Sequence, residues 1–254
     1  MSGNQYGEFA HSYDLMMNSV DYRKWVVYLE SFLREHGAQT VLDAACGTGK
    51  ITVALARDGF KVTGSDLSED MLMEARAHAL ESGQRLIPFV CQNMTDISVH
   101  RPVDAVISTC DGVNYLTSLE EVERFFQSAF RCLKPGGLLF FDISSDYKLE
   151  RILGNETFTE VTDDYAYIWY NSFDSERRLI EMDLTFFVKR GGTYSRFQEE
   201  HVQRAHSINE IVKLLNQTGF SLKGVYDAFT REPVRPESER IQFAAIRQEE
   251  KDNG

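Results

Sequence analysis

Two acidic residues and two glycines stand at spacings that suit the binding of a nucleoside. A short apolar run reaches Asp43, Gly47 and Gly49 follow, and a second apolar run ends at Asp66. Glycine lacks a Cβ, so a ligand can approach the backbone, and a helix that starts there directs its partly positive N-terminus at the same place. A carboxylate at the end of the second strand can accept hydrogen bonds from both hydroxyls of a ribose. We therefore expect these four residues to form a nucleoside site.

Two other classes of glycine-rich site do not match this stretch. A P-loop requires a glycine where Ala44 stands, and a magnesium-binding hydroxyl where Ile51 stands. A dinucleotide fingerprint requires a small residue where Thr52 stands, and Asp43 would repel a pyrophosphate. A carboxylate at that position better suits a ligand with a positively charged end.

The run Asp43–Gly49 resembles the first motif of the class I S-adenosylmethionine-dependent methyltransferases. The turn Leu133–Gly137 (Leu-Lys-Pro-Gly-Gly) is similar to a turn of the same family at the same place in the order of elements. The resemblance is nearest to bacterial small-molecule methyltransferases and to the glycine and aminosugar N-methyltransferases. It implies S-adenosyl-L-methionine as the cofactor and an α/β fold with a Rossmann-like seven-stranded methyltransferase sheet.

The same resemblance implies roles for individual residues. Asp43 and the Gly47–Gly49 turn, with Ala45 between them, would hold the methionine portion of the cofactor, and Asp66 would hold the ribose. Asn93 stands where the family has an acidic residue, although its amide oxygen can still accept a hydrogen bond from the adenine amino group. Three further residues, Leu67, Met71 and Met94, would lie beside the adenine. Cys110 would lie beside the sulfonium.

The N-terminal residues 1–36 are expected to form a helical lid. Phe9, Tyr13, Met16 and Met17 share one face at helical spacing, and a second apolar stripe that includes Trp25 ends before a glycine at position 37. In the family that the chain resembles, a tyrosine and a tryptophan of this region reach the cofactor. Tyr13 and Trp25 are therefore candidate cofactor contacts, with packing on the body of the protein as the alternative for each.

Composition limits the class of protein. The chain has 254 residues, four cysteines and a net charge of −12. Such a charge repels the backbone of nucleic acids at long range. The cysteines form no Cys-x-x-Cys pair, which favours reduced thiols in a cytoplasmic protein and disfavours a metal site. No apolar stretch approaches the length of a membrane span, so no membrane association is expected.

Alternating apolar and helical patterns predict the remaining elements of the sheet. Ser68 is expected to cap a helix, and Ser118 with Glu121 and Ser207 with Glu210 have the spacing of capping boxes. The strands that these helices connect are predicted at 87–91, 103–108, 138–143, 220–226 and 240–246.

A stretch rich in β-forming residues interrupts this pattern after the fifth strand. Between residues 157 and 203 we expect three antiparallel strands, because turn signals occur at Asp174-Ser175 and Gly191-Gly192. Three strands are too few to form an independent domain. The expected division is therefore a core of residues 37–150 and 204–247 with an antiparallel β cap at 151–203, and a dimer surface is the alternative role of the cap.

Two residues are candidates for catalysis. Tyr115 follows the fourth strand, where the aminosugar enzymes place a histidine, and a tyrosine with an ordinary pKa is a poor base at neutral pH. His201 and Arg204 lie where the insertion returns to the core, so both are expected to be able to face the pocket. A surface or packing role is the alternative for His201.

The expected function is transfer of the sulfonium methyl group to a nitrogen or oxygen of a small molecule by in-line displacement. Alignment and exclusion of water can supply much of the catalysis, so a strong acid–base pair is optional. A tRNA-modifying methyltransferase, a cofactor-binding regulatory protein without turnover and a dehydrogenase are the alternatives. The protein is expected to be a monomer or homodimer.

Overall fold

The computed structural model describes residues 21–249, in which helices alternate with strands up to the fifth strand. The helices are α1 (Tyr22–Glu35), α2 (Lys50–Arg57), α3 (Glu69–Glu81), α4 (Leu119–Cys132) and α5 (Ile208–Gln217). The strands are β1 (Thr40–Ala44), β2 (Lys61–Asp66), β3 (Phe89–Cys91), β4 (Val103–Ser108), β5 (Leu133–Ser144), β6 (Thr157–Val161), β7 (Tyr165–Asp174), β8 (Leu179–Arg190), β9 (Thr193–Arg204), β10 (Phe220–Asp227) and β11 (Arg240–Arg247). None of the helices in this part of the chain is long and apolar enough to cross a membrane.

Seven strands form the main sheet in the order β10-β11-β5-β4-β1-β2-β3. β1, β2, β3, β4 and β5 are parallel to their neighbours in this group, whereas β11 is antiparallel to both β5 and β10. Helices cover both faces, and each face has its own cluster of buried apolar side chains. The strand order places a switch point between β1 and β4, where doubly wound sheets open a ligand crevice at their carboxyl ends. The predicted seven-stranded α/β class is confirmed.

Local sequence signals determine where the helices begin. The hydroxyl of Ser68 accepts a hydrogen bond from the amide of Met71 and caps α3. Both predicted capping boxes, at the starts of α4 and α5, are formed. Each box satisfies backbone amides that the first helical turn leaves without partners.

Two strand boundaries differ from the prediction. β3 has only three residues and begins at Phe89 rather than at position 87. β5 begins at Leu133 rather than Leu138, because Leu133 already pairs with Val103 before the register shifts to Leu138 opposite Ala105. The Pro-Gly-Gly turn therefore lies inside β5 as an irregularity instead of preceding it.

The insertion after β5 is a separate antiparallel sheet with the order β6-β7-β8-β9, which we call the inserted sheet. The expectation of three strands was wrong, because the short and mostly exposed β6 adds a fourth. A π-helical turn, Lys148–Leu153, leads into it. Apolar side chains on one face of this sheet pack with residues of that turn, and the cluster reaches Met71 at the start of α3. The inserted sheet is thereby joined to the main body beside the switch point.

Candidate active site

A cavity of about 410 Å³ lies at the carboxyl ends of β1, β2 and β4, and β9 of the inserted sheet contributes to its wall. Its size is in the range of small-molecule and cofactor sites. Ten of the predicted site residues line it: Ala45, Gly47, Asp66, Leu67, Met71, Asn93, Met94, Cys110, Tyr115 and His201. Further lining residues that were not predicted as site residues include Tyr22, Cys46, Thr48, Lys50, Gln92, Thr109 and Glu121.

The glycine-rich turn and the acid of β2 are joined directly. The amide of Gly47 donates to Asp66 Oδ2 over 2.8 Å, and the amide of Ser68 donates to Oδ1 over 2.9 Å. Burial raises the pKa of Asp66, and these backbone hydrogen bonds act in the opposite direction. A Cβ built on Gly47 would meet no protein atom within 4 Å, so the space beside it is open to a ligand. An acid at the end of β2 and open space at the turn both fit a nucleoside cofactor.

Gly49, in the same turn, has a role in helix packing. It begins α2 in the left-handed conformation with φ of 72°. A Cβ at this position would lie 2.8 Å from the Cβ of Ala75, which is a closer approach than side chains tolerate. Gly49 does not line the cavity, and its absent side chain allows α2 and α3 to approach each other. Its predicted contact with the cofactor stays a prediction.

Asp43 lies behind the turn and is 1% exposed. Thr52 Oγ1 donates to its Oδ2 over 2.5 Å, while Oδ1 has no hydrogen-bond partner in the described part of the chain. Burial raises the pKa of Asp43 to about 7, against the effect of the Thr52 hydrogen bond and with a smaller contribution from Asp66. The structure thus places this carboxyl outside the cavity lining, and its predicted role toward the methionine portion stays a prediction.

The predicted adenine side of the cavity contains Leu67, Met71, Asn93 and Met94. The Asn93 Oδ1 accepts hydrogen bonds from the Thr95 amide over 2.9 Å and from Thr95 Oγ1 over 3.0 Å. That oxygen therefore caps the short helical turn Met94–Asp96. An amide oxygen has two lone pairs, so a further contact with an adenine would have to replace one of these local bonds.

An unusual backbone conformation follows β4. Cys110 and Asp111 have φ values of 57° and 58°, both in the left-handed region. This region costs roughly 1–2 kcal/mol per residue with a side chain. The amide of Asp111 donates to Asp142 Oδ2 over 3.1 Å, and Arg240 forms ion pairs with both Asp111 and Asp142. These contacts hold the turn that brings Cys110 to the cavity.

Trp25 lies in the core rather than in the cavity lining. It is 3% exposed, and its ring makes an edge contact with Phe229 at a centroid distance of 4.7 Å. The guanidinium of Arg240 lies 5.5 Å from the Trp25 ring centroid. The packing alternative therefore describes its position, and its predicted contact with the cofactor stays a prediction. Tyr13 lies outside the described residues.

The two candidate catalytic side chains meet at the cavity. Tyr115 Oη lies 3.4 Å from His201 Nδ1, and the rings meet edge to face. Tyr115 is 46% accessible because it faces the cavity, yet the protein around that cavity, and secondarily the Asp111 carboxylate, raise its pKa above the ordinary value. Burial lowers the pKa of His201, which keeps the imidazole neutral at neutral pH.

Arg204 does not line the cavity, contrary to expectation. Its guanidinium contacts His206 Nδ1 over 2.8 Å and pairs with Glu210 over 2.8 Å. Three further polar side chains near the cavity had no predicted role, namely the buried Asn114 and Gln203 and the partly buried Arg240. The location of Asn114 after β4 was a usable signal, because reacting groups gather at the carboxyl ends of strands. Gln203 lies near the end of β9 and Arg240 begins β11, and no sequence spacing relates either residue to the turn after β4.

Comparison with known proteins identifies the family. A family model described as a methyltransferase domain matches residues 41–137. The Bacillus subtilis (strain 168) protein named "Putative methyltransferase YqeM" is 39% identical over 241 residues, which cover 94% of this chain and 96% of that protein. A S-adenosylmethionine-dependent methyltransferase from Clostridium acetobutylicum ATCC 824 superposes with a TM-score of 0.88 at 32% identity, covering 97% of this chain and 100% of that chain.

The fold also matches that of a more distant enzyme with bound cofactor. The SAM-bound structure of CalS10, an amino pentose methyltransferase from Micromonospora echinaspora, has a TM-score of 0.75 at 19% identity and covers 94% of this chain and 96% of that chain. At this identity the likeness concerns the fold. With the YqeM and Clostridium similarities, which span nearly the whole chain, the assignment is clear. The chain belongs to the class I S-adenosylmethionine-dependent methyltransferase family, and S-adenosylmethionine is its cofactor.

Proposed function

We propose that this methyltransferase acts on a nitrogen or oxygen atom of a small molecule by in-line displacement. The proposal rests on one observation: Tyr115 and His201 contact each other in the wall of the cavity, and the cofactor loops line the opposite side of that cavity. One side chain comes from the core and the other from β9. A nucleophile placed between these groups and the cofactor would be surrounded by protein, which favours alignment and excludes water.

Different residues of the cavity lining would bind different parts of the cofactor. The cofactor supplies a methyl group that the positive sulfonium has already activated. Asp66, held by the amides of Gly47 and Ser68, would orient the ribose, while Leu67, Met71, Asn93 and Met94 would enclose the adenine. Ala45 and the backbone of Cys110 would border the methionine portion and the sulfonium. Positioning by such a lining can supply about 7–11 kcal/mol of a reaction barrier.

His201 is the residue that we propose to receive the proton of the nucleophile. Its pKa is lowered by burial, so the imidazole is neutral and able to accept at neutral pH. Tyr115, whose pKa is raised, remains a phenol and would orient the acceptor or the imidazole by a hydrogen bond. These roles require no stronger acid–base pair, because the leaving group is already activated.

We also propose the domain division that the sequence suggested. Residues 1–36 would form a lid, residues 37–150 and 204–247 the cofactor-binding core, and residues 151–203 a cap over the acceptor. The position of His201 in the cavity wall supports the cap role of the inserted sheet. A dimer surface on the outer face of that sheet is compatible with this role.

Labelled S-adenosylmethionine tests the proposal. The protein is incubated with this cofactor and separate small-molecule and tRNA fractions of a cell extract, and transferred label is measured. We expect a labelled small molecule, with at least about tenfold slower transfer by Tyr115→Phe and His201→Gln. Tyr194→Phe and His100→Gln change exposed residues and serve as matched controls. Label only in the tRNA fraction, or cofactor binding without any transfer, would contradict the proposal.

A further inference from the structure

We propose that three buried hydrogen-bonding side chains fix the inserted sheet to the core at the acceptor site, and that Gln203, Asn114 and His206 are positioning residues for methyl transfer. The three bonds, which we call the clasp, join residues 203–206 to residues 111–116. The inference rests on the proposed function, because it concerns the geometry of the same Tyr115–His201 pair.

The first bond of the clasp links β9 to the left-handed turn after β4. Gln203 Nε2 donates to Asp111 Oδ2 over 2.9 Å, and Gln203 is only 4% exposed. The other oxygen of Asp111 accepts from Arg240 Nη2 over 2.8 Å. The carboxylate thus receives one bond from the inserted sheet and one from the core, and charge-assisted bonds of this kind are geometrically demanding.

The second bond involves a fully buried amide. Asn114 Nδ2 donates to the carbonyls of Ser144 and Arg204, each over 3.0 Å, and Asn114 Oδ1 accepts from the Ser144 amide over 2.8 Å. Ser144 is the last residue of β5, before the insertion, and Arg204 is the last residue of β9. One side chain therefore holds together the two points where the inserted sheet leaves and rejoins the core.

The third bond completes the attachment. His206 is fully buried, and its Nε2 lies 2.9 Å from the carbonyl of Leu116. A carbonyl can only accept, so Nε2 carries the proton and Nδ1 accepts from Arg204 Nη1 over 2.8 Å. The ion pair of Arg204 with Glu210 in turn ties this group to α5.

The clasp brackets the two candidate catalytic residues. Tyr115 lies between Asn114 and Leu116, both of which take part in the clasp. His201 precedes Gln203 by two residues on the same strand, so the two side chains lie on the same face of β9. Any shift of β9 relative to the turn changes the 3.4 Å separation of Tyr115 Oη and His201 Nδ1. A displacement of about 1 Å at such a distance can cost on the order of a hundredfold in rate.

Apart from Cys110, which precedes Asp111, the cofactor side of the cavity lies away from these bonds. Its loops follow β1, β2 and β3, where Asp66 is held by the amides of Gly47 and Ser68. Loosening the clasp should therefore change the acceptor side while leaving cofactor affinity intact. A residue that merely stabilised the fold would affect both sides together.

Gln203→Leu tests the clasp, with Gln198→Leu as its matched control. Gln198 lies on the same strand, is exposed, and contacts Thr185 instead of the core. Three properties are measured: calorimetric affinity for S-adenosylhomocysteine, the NMR titration of the His201 imidazole assigned with His201→Gln, and label transfer to the extract. For Gln203→Leu we expect affinity within about twofold of the parent, a His201 titration moved toward the ordinary pKa, and transfer reduced by about tenfold to a hundredfold.

A donor–acceptor exchange supplies the rescue. In the double variant Asp111→Asn with Gln203→Glu, the amide and the carboxylate trade places, so a bond can form again with the net charge preserved. We expect the double variant to recover the parental His201 titration more fully than either single variant. Should Gln203→Leu fail to fold, Gln203→Asn, which withdraws the amide by one methylene, is measured in the same way.

The outcomes separate the clasp from the proposed function. An unchanged His201 titration in folded Gln203→Leu, or equal effects of Gln203→Leu and Gln198→Leu, would overturn the clasp even if the parent transfers label. Absence of transfer by the parent would contradict the proposed function, while the calorimetric and NMR results would still decide whether the clasp sets the position of His201.

Discussion

The amide of Gly47 donates to the carboxylate of Asp66 over 2.8 Å. The first glycine of the turn after β1 and the acid that ends β2 therefore form one preorganised unit. The second oxygen of the same carboxylate accepts from the Ser68 amide, which lies at the start of α3. Three elements thus share one carboxylate at the place where the ribose is expected, and a change there affects the cofactor side of the cavity as a whole.

Neutralising Asp66 should weaken cofactor binding. Asp66→Asn removes the negative charge and one of the oxygens that accept hydrogen bonds, and a bond to a charged group contributes about 1.5–3 kcal/mol. We expect the affinity for S-adenosylhomocysteine to fall by roughly tenfold to a hundredfold, as measured by calorimetry. Asp58→Asn, at an exposed position after α2, serves as the control. Parental affinity in Asp66→Asn would refute the ribose role.

A methyl group at Gly47 should obstruct the cofactor. Gly47→Ala places a Cβ where no protein atom lies within 4 Å, and φ of 55° adds a strain of roughly 1–2 kcal/mol. Gly83→Ala is a matched control, since Gly83 also has a positive φ and open space but does not line the cavity. Both variants should lose similar stability in denaturant titrations. Only Gly47→Ala should lose cofactor affinity, and an equal loss in both would assign the effect to strain.

Removing Arg240 should destabilise the protein, and more so at higher pH. Arg240→Met leaves the carboxylates of Asp111 and Asp142 without their cation, and loss of one partner of a buried pair costs about 3–5 kcal/mol. Burial already raises the pKa of Asp142 to about 6, against the effect of Arg240. Without Arg240 that pKa rises further, so protonation at about pH 5 relieves a penalty that is fully present at about pH 8.

Denaturant titrations at the two pH values measure this difference. Arg235→Met is the control, because Arg235 pairs with Asp227 while its side chain is 74% exposed. Such a surface pair contributes at most about 1 kcal/mol. Equal losses of unfolding free energy in the two variants, or a loss independent of pH, would contradict the account of the buried network.

His206 should contribute to acid denaturation. Burial, followed by the charge of Arg204, lowers its pKa to about 4 from 6.5. Because the pKa is lowered, the stability due to neutral His206 is fully present above about pH 6.5 and is lost as the pH falls through about 4. This contribution to the free energy of unfolding amounts to roughly 3 kcal/mol. His206→Gln should be less stable near neutral pH and show a shallower decline over this interval. His100→Gln, at an exposed site, should retain the parental slope.

The sequence predicted the main sheet well because its signals are local. Capping serines, the Gly47–Gly49 turn and the acid at position 66 each act within a few residues, and all lie where expected. The strand β6 was missed because its residues are mostly exposed and lack a regular apolar alternation. β6 is a strand because it pairs with β7, and this pairing cannot be predicted from its five residues alone.

The candidate site divides in the same way. Most residues that line the cofactor side follow β1, β2 and β3, and they could be predicted from sequence motifs. The buried network was not, because Gln203 and Arg240 are 92 and 129 residues from the Asp111 that they contact. The sequence places Trp25 in an apolar stripe that favours packing over a cofactor contact, but its packing partner Phe229 could not be predicted because it belongs to a distant segment of the chain.

The amide of Asn114 has a consequence for how this chain could accommodate a different insertion. It holds Ser144 and Arg204 side by side, so a side chain of the core fixes the distance between the two ends of the insertion. Loops of different length or architecture could then be grafted across that gap without redesigning the cofactor half. The acceptor side of the protein could in this way be altered independently of the site for its methyl donor.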